Sequence, residues 1–157
     1  MKHNTSQYLG SYKISHEPNS KEDVKNLLAS WGDQKLLGFN WTTTQIMGEL
    51  KNETGTLFGF SCKDDILKVL VLYKEIPPEA EIYIVMKTKG TPTEVVFQTL
   101  STLLDTNRHI KQWWLEVHEK NQGAIRLYER VGFHKNAKRK KYYPDGGHAL
   151  IYVYNKI

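Results

Sequence analysis

Between Lys111 and Gly132 the side-chain period changes once, sharply, and that change constrains the fold more than any other feature of the chain. From Lys111 to His118 apolar and polar positions alternate. Trp113, Leu115 and Val117 fall on one face of an extended segment, and Trp114 and Glu116 on the other. From Asn121 to Val131 the repeat is helical. Asn121 has the side chain of an N-cap, and Gly132 has the backbone freedom needed where a chain leaves a helix. A strand that turns directly into a capped helix predicts a layered fold of sheet and helices.

The rest of the chain agrees. Ser20 to Trp31 predicts a helix, with Ser20 and Asp23 as a capping box and Val24, Leu27, Leu28 and Trp31 on one face. A second helix is expected after Trp41, capped by Thr42 or Thr43 and ended by Asn52 and Gly55. Thr56 to Phe60, Ile66 to Tyr73 and Glu81 to Lys87 predict a three-stranded antiparallel meander, punctuated by Lys63-Asp64-Asp65 and Pro77-Pro78. Thr91 to Asp105 predicts a helix with Val96, Leu100, Leu103 and Leu104 inward. A final hairpin is expected from Phe133 to Tyr143 and His148 to Tyr154. A crossover helix joins the strand before Thr91 to the strand after it, so those two should be parallel neighbours.

The length of 157 residues fits one domain, 1–157, and the 39% hydrophobic content supports a core. No run approaches the roughly 20 apolar residues of a membrane-spanning helix. Met1 to Tyr12 is polar, so no secretory leader is expected. One cysteine, Cys62, excludes an intramolecular disulfide and suits a cytoplasmic location; it is expected as a small strand or core residue. The net charge of +5 attracts anions. Its densest cluster, Lys138 to Lys141 followed by Tyr142 and Tyr143, could stack on and neutralise single-stranded nucleic acid. The alternative is a solvated strand edge, where lysine blocks edge pairing. The second is favoured, so nucleic acid is not the expected partner.

The segment Leu115 to Phe133 resembles the C-terminal half of the GNAT (GCN5-related) N-acetyltransferases, whose pattern Asn-x-x-Ala-x-x-Leu-Tyr-x-x-x-Gly-Phe is met at every fixed position by Asn121, Ala124, Leu127, Tyr128, Gly132 and Phe133. Arg139 to Pro144 is similar to the hairpin of the branch that acetylates ribosomal-protein N-termini, and the element order over about Ile14 to Tyr154 matches the family. The resemblance implies a mixed α+β (α/β layered) fold, with a central sheet splayed between its fourth and fifth strands and helices on both faces. It implies a cleft between Met86 and Trp114 that takes acetyl-CoA as acetyl donor, and a primary amine as acceptor, such as a protein N-terminus.

The same resemblance implies the roles. Glu116 corresponds to the general base, acting through water, and Tyr128 to the acid that protonates the departing thiolate; a phenol with a reference pKa of about 10 stays protonated at neutral pH. Backbone N–H groups near Val85 and Met86 would polarise the carbonyl. Lys87, Thr91, Thr93, Asn121 and Ala124 complete the expected cofactor-binding set; no metal is expected. His118 is an alternative base, Glu116 an alternative structural carboxylate, and Tyr128 an alternative core residue. An N-terminal amine, with a reference pKa of about 7.7–8.0, needs less help from a base than a lysine near 10.4.

One stretch departs from the family. Its pyrophosphate loop carries glycines, whereas Lys87 to Val96 places Glu94 and Val96 at the two small positions. Thr91-Pro92-Thr93-Glu94 predicts a capping box with proline at the first helical position, which would put a carboxylate where a pyrophosphate should lie. Lys120, Arg126 and the hydroxyls of Thr88, Thr91 and Thr93 could compensate. A degenerate domain of this fold, with acetyl-CoA binding weakened or lost and serving as a non-catalytic binding module, is therefore the alternative function.

Overall fold

A computed structural model describes residues 11–15, 48, 56–63 and 66–156. Seven strands form one sheet: β1 (Ser11–Ser15), β2 (Thr56–Lys63), β3 (Ile66–Ile76), β4 (Glu79–Lys87), β5 (Gln112–His118), β6 (His134–Arg139) and β7 (Ala149–Asn155). Their order across the sheet is β1-β2-β3-β4-β5-β7-β6. Two helices are described, α1 (Thr93–Thr106) and α2 (Gln122–Val131). The two helices expected before Thr56 lie outside the described residues.

The expected meander is present, with longer strands, because the tight Pro77-Pro78 turn lets β3 and β4 run right up to it. The expected parallel pair is also present: β4 and β5 run side by side, joined by α1. β1 was not anticipated. Five residues with serine at both ends carry little periodic signal, and pairing with β2 is what makes them a strand. The last hairpin is shorter than expected, since β6 ends at Arg139 and Tyr142 and Tyr143 belong to the loop.

Both described helices cover the same sheet face. Val95, Val96, Leu100, Leu103 and Leu104 of α1, with Ile125 and Tyr128 of α2, close over Val69, Val71, Tyr73, Ile82, Trp113, Leu115, Val117, Leu150 and Tyr152. A fully buried leucine such as Leu103 contributes roughly 1.5–3 kcal/mol by leaving water. Leu70, Leu72, Ile84 and Met86 point to the opposite face and are buried as well.

Alternation along β4 breaks once. Leu72 pairs with Ile84 but Tyr73 pairs with Ile82, so Tyr83 is an extra residue in β4. This bulge turns Val85 toward the helices and sends Ile84 and Met86 to the other side. A bulge bends its strand and sharpens local twist. Its position decides where the sheet opens.

Candidate active site

β4 and β5 pair only from Glu79–Gln112 to Ile82–Leu115. Beyond that register, Ile84–Lys87 stays paired with β3 and Glu116–His118 stays paired with β7, so the facing edges separate. The opening begins at the Tyr83 bulge. It lies past Trp114, which pairs with Glu81 inside the closed part of the ladder, so the gap is bounded by Val85 and Met86 on one side and by Glu116 to His118 on the other.

The helix that follows β5 brings Tyr128 into the core on the sheet face that α1 and α2 cover. Asn121 caps α2 by accepting the Ala124 N–H at 3.2 Å, which leaves its own amide NH2 with no partner among the described residues. Two turns later Tyr128 faces the core, edge-on to Phe133 at 6.1 Å. Burial, then the nearby Tyr143 phenol, pushes its pKa well above the ordinary tyrosine value. Its phenol therefore keeps its proton at any physiological pH. Ala124 lies half-buried against the same cluster.

Glu116 is on the opposite face of β5, where the alternation of the strand puts it. Its carboxylate meets Arg139 of β6, Nε to Oε2 at 2.8 Å. Beside it on β4 is Glu81, whose pKa is raised by burial first and by Glu116 second, against smaller opposing effects of Arg139 and Lys74. A cleft of about 380 Å³ opens on this face, with Glu81, Glu116 and Arg139 among its charged residues and Ile76, Tyr83, Trp114 and Ile151 among its walls. Tyr128, in the core under the helices, and Glu116, in the cleft on the other face, thus lie on different sides of the sheet.

No family model and no curated protein sequence matches this chain. Solved structures do match. A GNAT-family protein from Desulfovibrio desulfuricans superposes with a TM-score of 0.75 at 17% identity, covering 92% of this chain and 98% of its own. The ribosomal-protein-S18-alanine N-acetyltransferase of Escherichia coli gives 0.74 at 21% identity, over 94% and 96%. The NatC complex bound to Gag peptide and CoA gives 0.69 at 17%, over 94% and 98%. The fold is that of the GNAT acetyltransferases.

The turn between β4 and α1, where the resemblance implies a pyrophosphate loop, is held by its own contacts. The capping box expected from Thr91 to Glu94 does not form. Pro92 is itself the N-cap, without a side-chain cap, because the Thr91 hydroxyl bonds Thr88 Oγ1 at 2.6 Å. The Lys87 amine donates to the Thr91 carbonyl at 3.0 Å, and Gly90 turns the chain at φ 87°. Thr91 is buried and Thr93 exposed.

Glu94 does not fold back over the helix start as a capping box requires. It takes two hydrogen bonds from Arg130, at 2.8 and 3.3 Å, and one from Gln98. Arg130 lies 3.8 Å over the Phe97 ring. Those bonds hold the Glu94 carboxyl below its usual pKa, and the guanidinium offsets the charge that would otherwise repel a pyrophosphate.

His118, the alternative base, has both ring nitrogens engaged. Nδ1 accepts the Lys120 N–H at 3.1 Å, and Nε2 meets Asp145 at 2.8 Å. A nitrogen that is already accepting a backbone N–H has no lone pair left for an acceptor's proton. The ring stacks on Tyr143 at 4.6 Å. Burial and Glu116 raise the Tyr143 pKa to about 12. His148 is placed similarly, with Nδ1 accepting the Lys141 N–H at 2.9 Å and its backbone N–H donating to Glu119 Oε2 at 2.9 Å. Both imidazoles brace the β6–β7 loop of the GNAT fold. Sequence patterning gave no sign of this network, nor of Glu81, since all of it depends on register between distant strands. The basic run is split: Lys138 and Arg139 lie on the exposed edge strand β6, and Tyr143 is buried against His118.

Proposed function

We propose that this chain transfers an acetyl group from acetyl-CoA to a primary amine, with a protein N-terminal amine as the acceptor and the cytoplasm as its place of action. One observation carries the reading. Glu116 follows the last β4–β5 pair and faces the cleft, while Tyr128 packs over the opposite, helix-covered face, which suits a donor and an acceptor approaching from different sides. The unpaired edge at Val85 and Met86 suits a thioester carbonyl, and Asn121 and Ala124 border the donor side.

The donor supplies an acylating thioester. Glu116 takes a proton from the acceptor's ammonium. As nitrogen bonds the carbonyl carbon and the C–S bond breaks, Tyr128 gives its phenolic proton to sulfur and regains one from the nitrogen. The proton on Glu116 passes to water. One amide and one free thiol result, with a net release of one proton.

Calorimetric titration with acetyl-CoA tests the first requirement: heat is expected, and none at millimolar concentration overturns the reading. Tyr128→Phe should keep that binding and lose about 10²–10⁴-fold in turnover, the usual worth of a general acid. A degenerate domain of the same fold, serving as a non-catalytic binding module, is favoured by the phosphate loop, where Lys87, Thr88 and Thr91 satisfy one another. It predicts weakened or lost acetyl-CoA binding and no thiol release for any peptide or amine offered.

A further inference from the structure

The cleft on the sheet face away from α1 and α2 contains more charge than acetyl transfer to a neutral amine requires. Its floor places Glu116 and Glu81 side by side on adjacent strands, with a single guanidinium, Arg139, bonded to Glu116 at 2.8 Å. Arg139 comes from the exposed edge strand β6, and its side chain is 58% exposed. It is a cation that can swing away into water. The closed part of the β4–β5 ladder fixes Glu81 opposite Trp114, and β7 fixes Glu116 opposite Ile151, so neither carboxylate can follow it. Trp114, Ile151, Tyr83 and Ile76, which is 67% exposed, give the walls their apolar part, beside the polar Lys74, Glu79 and Asn136.

We propose that Glu81 is a specificity-determining residue that seats the acceptor as an ammonium: the positive charge enters between Glu81 and Glu116, displaces Arg139, and holds its adjoining apolar group against Trp114 and Ile76. The proposal rests on the acetyl-acceptor reading of this face. Arg139 stands in for the acceptor's charge when the cleft holds none. Glu81 binds and Glu116 takes the proton, so their losses should differ in kind. The raised pKa of Glu81 agrees with this: burial raises it first and Glu116 second, Arg139 and Lys74 offset that only in part, and an entering cation would supply further counter-charge.

The probe is alanyl-phenylalanine amide, with its N-acetylated form as the uncharged control, titrated onto the full chain without acetyl-CoA. The charged probe should bind and the acetylated one should not. Glu81→Gln should weaken the charged probe about tenfold, the value of one charge-assisted hydrogen bond. Arg139→Leu should tighten it severalfold. In turnover, Glu81→Gln should raise KM for the probe with kcat nearly kept, whereas Glu116→Gln lowers kcat. Equal binding of the two probes, no binding of the charged one, or an affinity unchanged in Glu81→Gln overturns the proposal. If acetyl-CoA does not bind, the reading of the reaction falls, while the probe titration still decides the role of Glu81. Glu81 is exposed on its strand, so the substitution should leave the melting temperature in place, and the melt controls for misfolding.

Discussion

Gly132 shows how much can depend on one residue without a side chain. Its φ of 123° lies where side-chain-bearing residues are strained, and a Cβ there would come within 3.0 Å of Tyr154 Cε2. Its N–H donates to the carbonyls of Tyr128 and Glu129, each at 3.1 Å, which closes the last turn of α2. The next residue, Phe133, packs between Tyr128 and Tyr154. Gly132→Ala should therefore cost roughly 1–3 kcal/mol from backbone strain, and Tyr154 must also give way. Chemical denaturation reads it directly; a loss under about 0.5 kcal/mol, the range of an ordinary surface change, would contradict the account. Because the strained residue anchors the turn bearing Tyr128, acetyl transfer should fall with it even at temperatures where the variant remains folded.

At the scale of elements, the β6–β7 loop is the part most exposed to a single change. Gly147 has an ordinary φ, so an alanine there meets no backbone penalty. Its Cβ would nonetheless fall 2.2 Å from His118 Nε2 and 2.8 Å from Asp145 Oδ1. His118 cannot step aside, being stacked on Tyr143 and hydrogen-bonded at both nitrogens. Gly147→Ala should break the His118–Asp145 contact, cost about 1–3 kcal/mol as overpacking does, and raise amide exchange across 140–148. Unchanged exchange there would show that the imidazole does not brace the loop. None of this was visible in the sequence. Strand β5 and helix α2 were legible because their periods, the Asn121 cap and the Gly132 stop are local signals. The roles expected of Glu116 and Tyr128 came from the family resemblance, not from those local signals. The bulge at Tyr83 was not legible, since Glu81 to Lys87 alternates well on paper and only pairing with β3 shows the extra residue. Glu94 misled for the same reason: a local capping signal lost to a partner, Arg130, that lies 36 residues away.

For the whole molecule, the same burial that keeps the phenols protonated sets a limit on its stability in alkali. Tyr73, Tyr128, Tyr143 and Tyr152 all have raised pKa values. Burial is the first cause in each, and Tyr152 also donates to Glu129 at 2.9 Å. An unfolded tyrosine ionises near pH 10, whereas Tyr143 and Tyr152 hold their protons to about 12 in the fold. Above pH 10 the unfolded chain therefore binds fewer protons than the folded one, and stability falls as pH rises. The contribution of these groups is fully present below pH 10 and is lost progressively as pH climbs through about 12. Thermal melts from pH 8 upward should hold level to about pH 10 and then drop steeply, with the 295 nm phenolate band rising in the same transition as unfolding. Tyr152→Phe removes one of the four and should flatten that slope while leaving the melt at pH 8 nearly unchanged, apart from the lost hydrogen bond to Glu129. A phenolate band that develops fully near pH 10 in a still-folded protein would mean that these rings are wet. With Tyr128 wet, its phenol would still be protonated at neutral pH, but it would ionise near pH 10 like an ordinary tyrosine instead of being held above that value by burial.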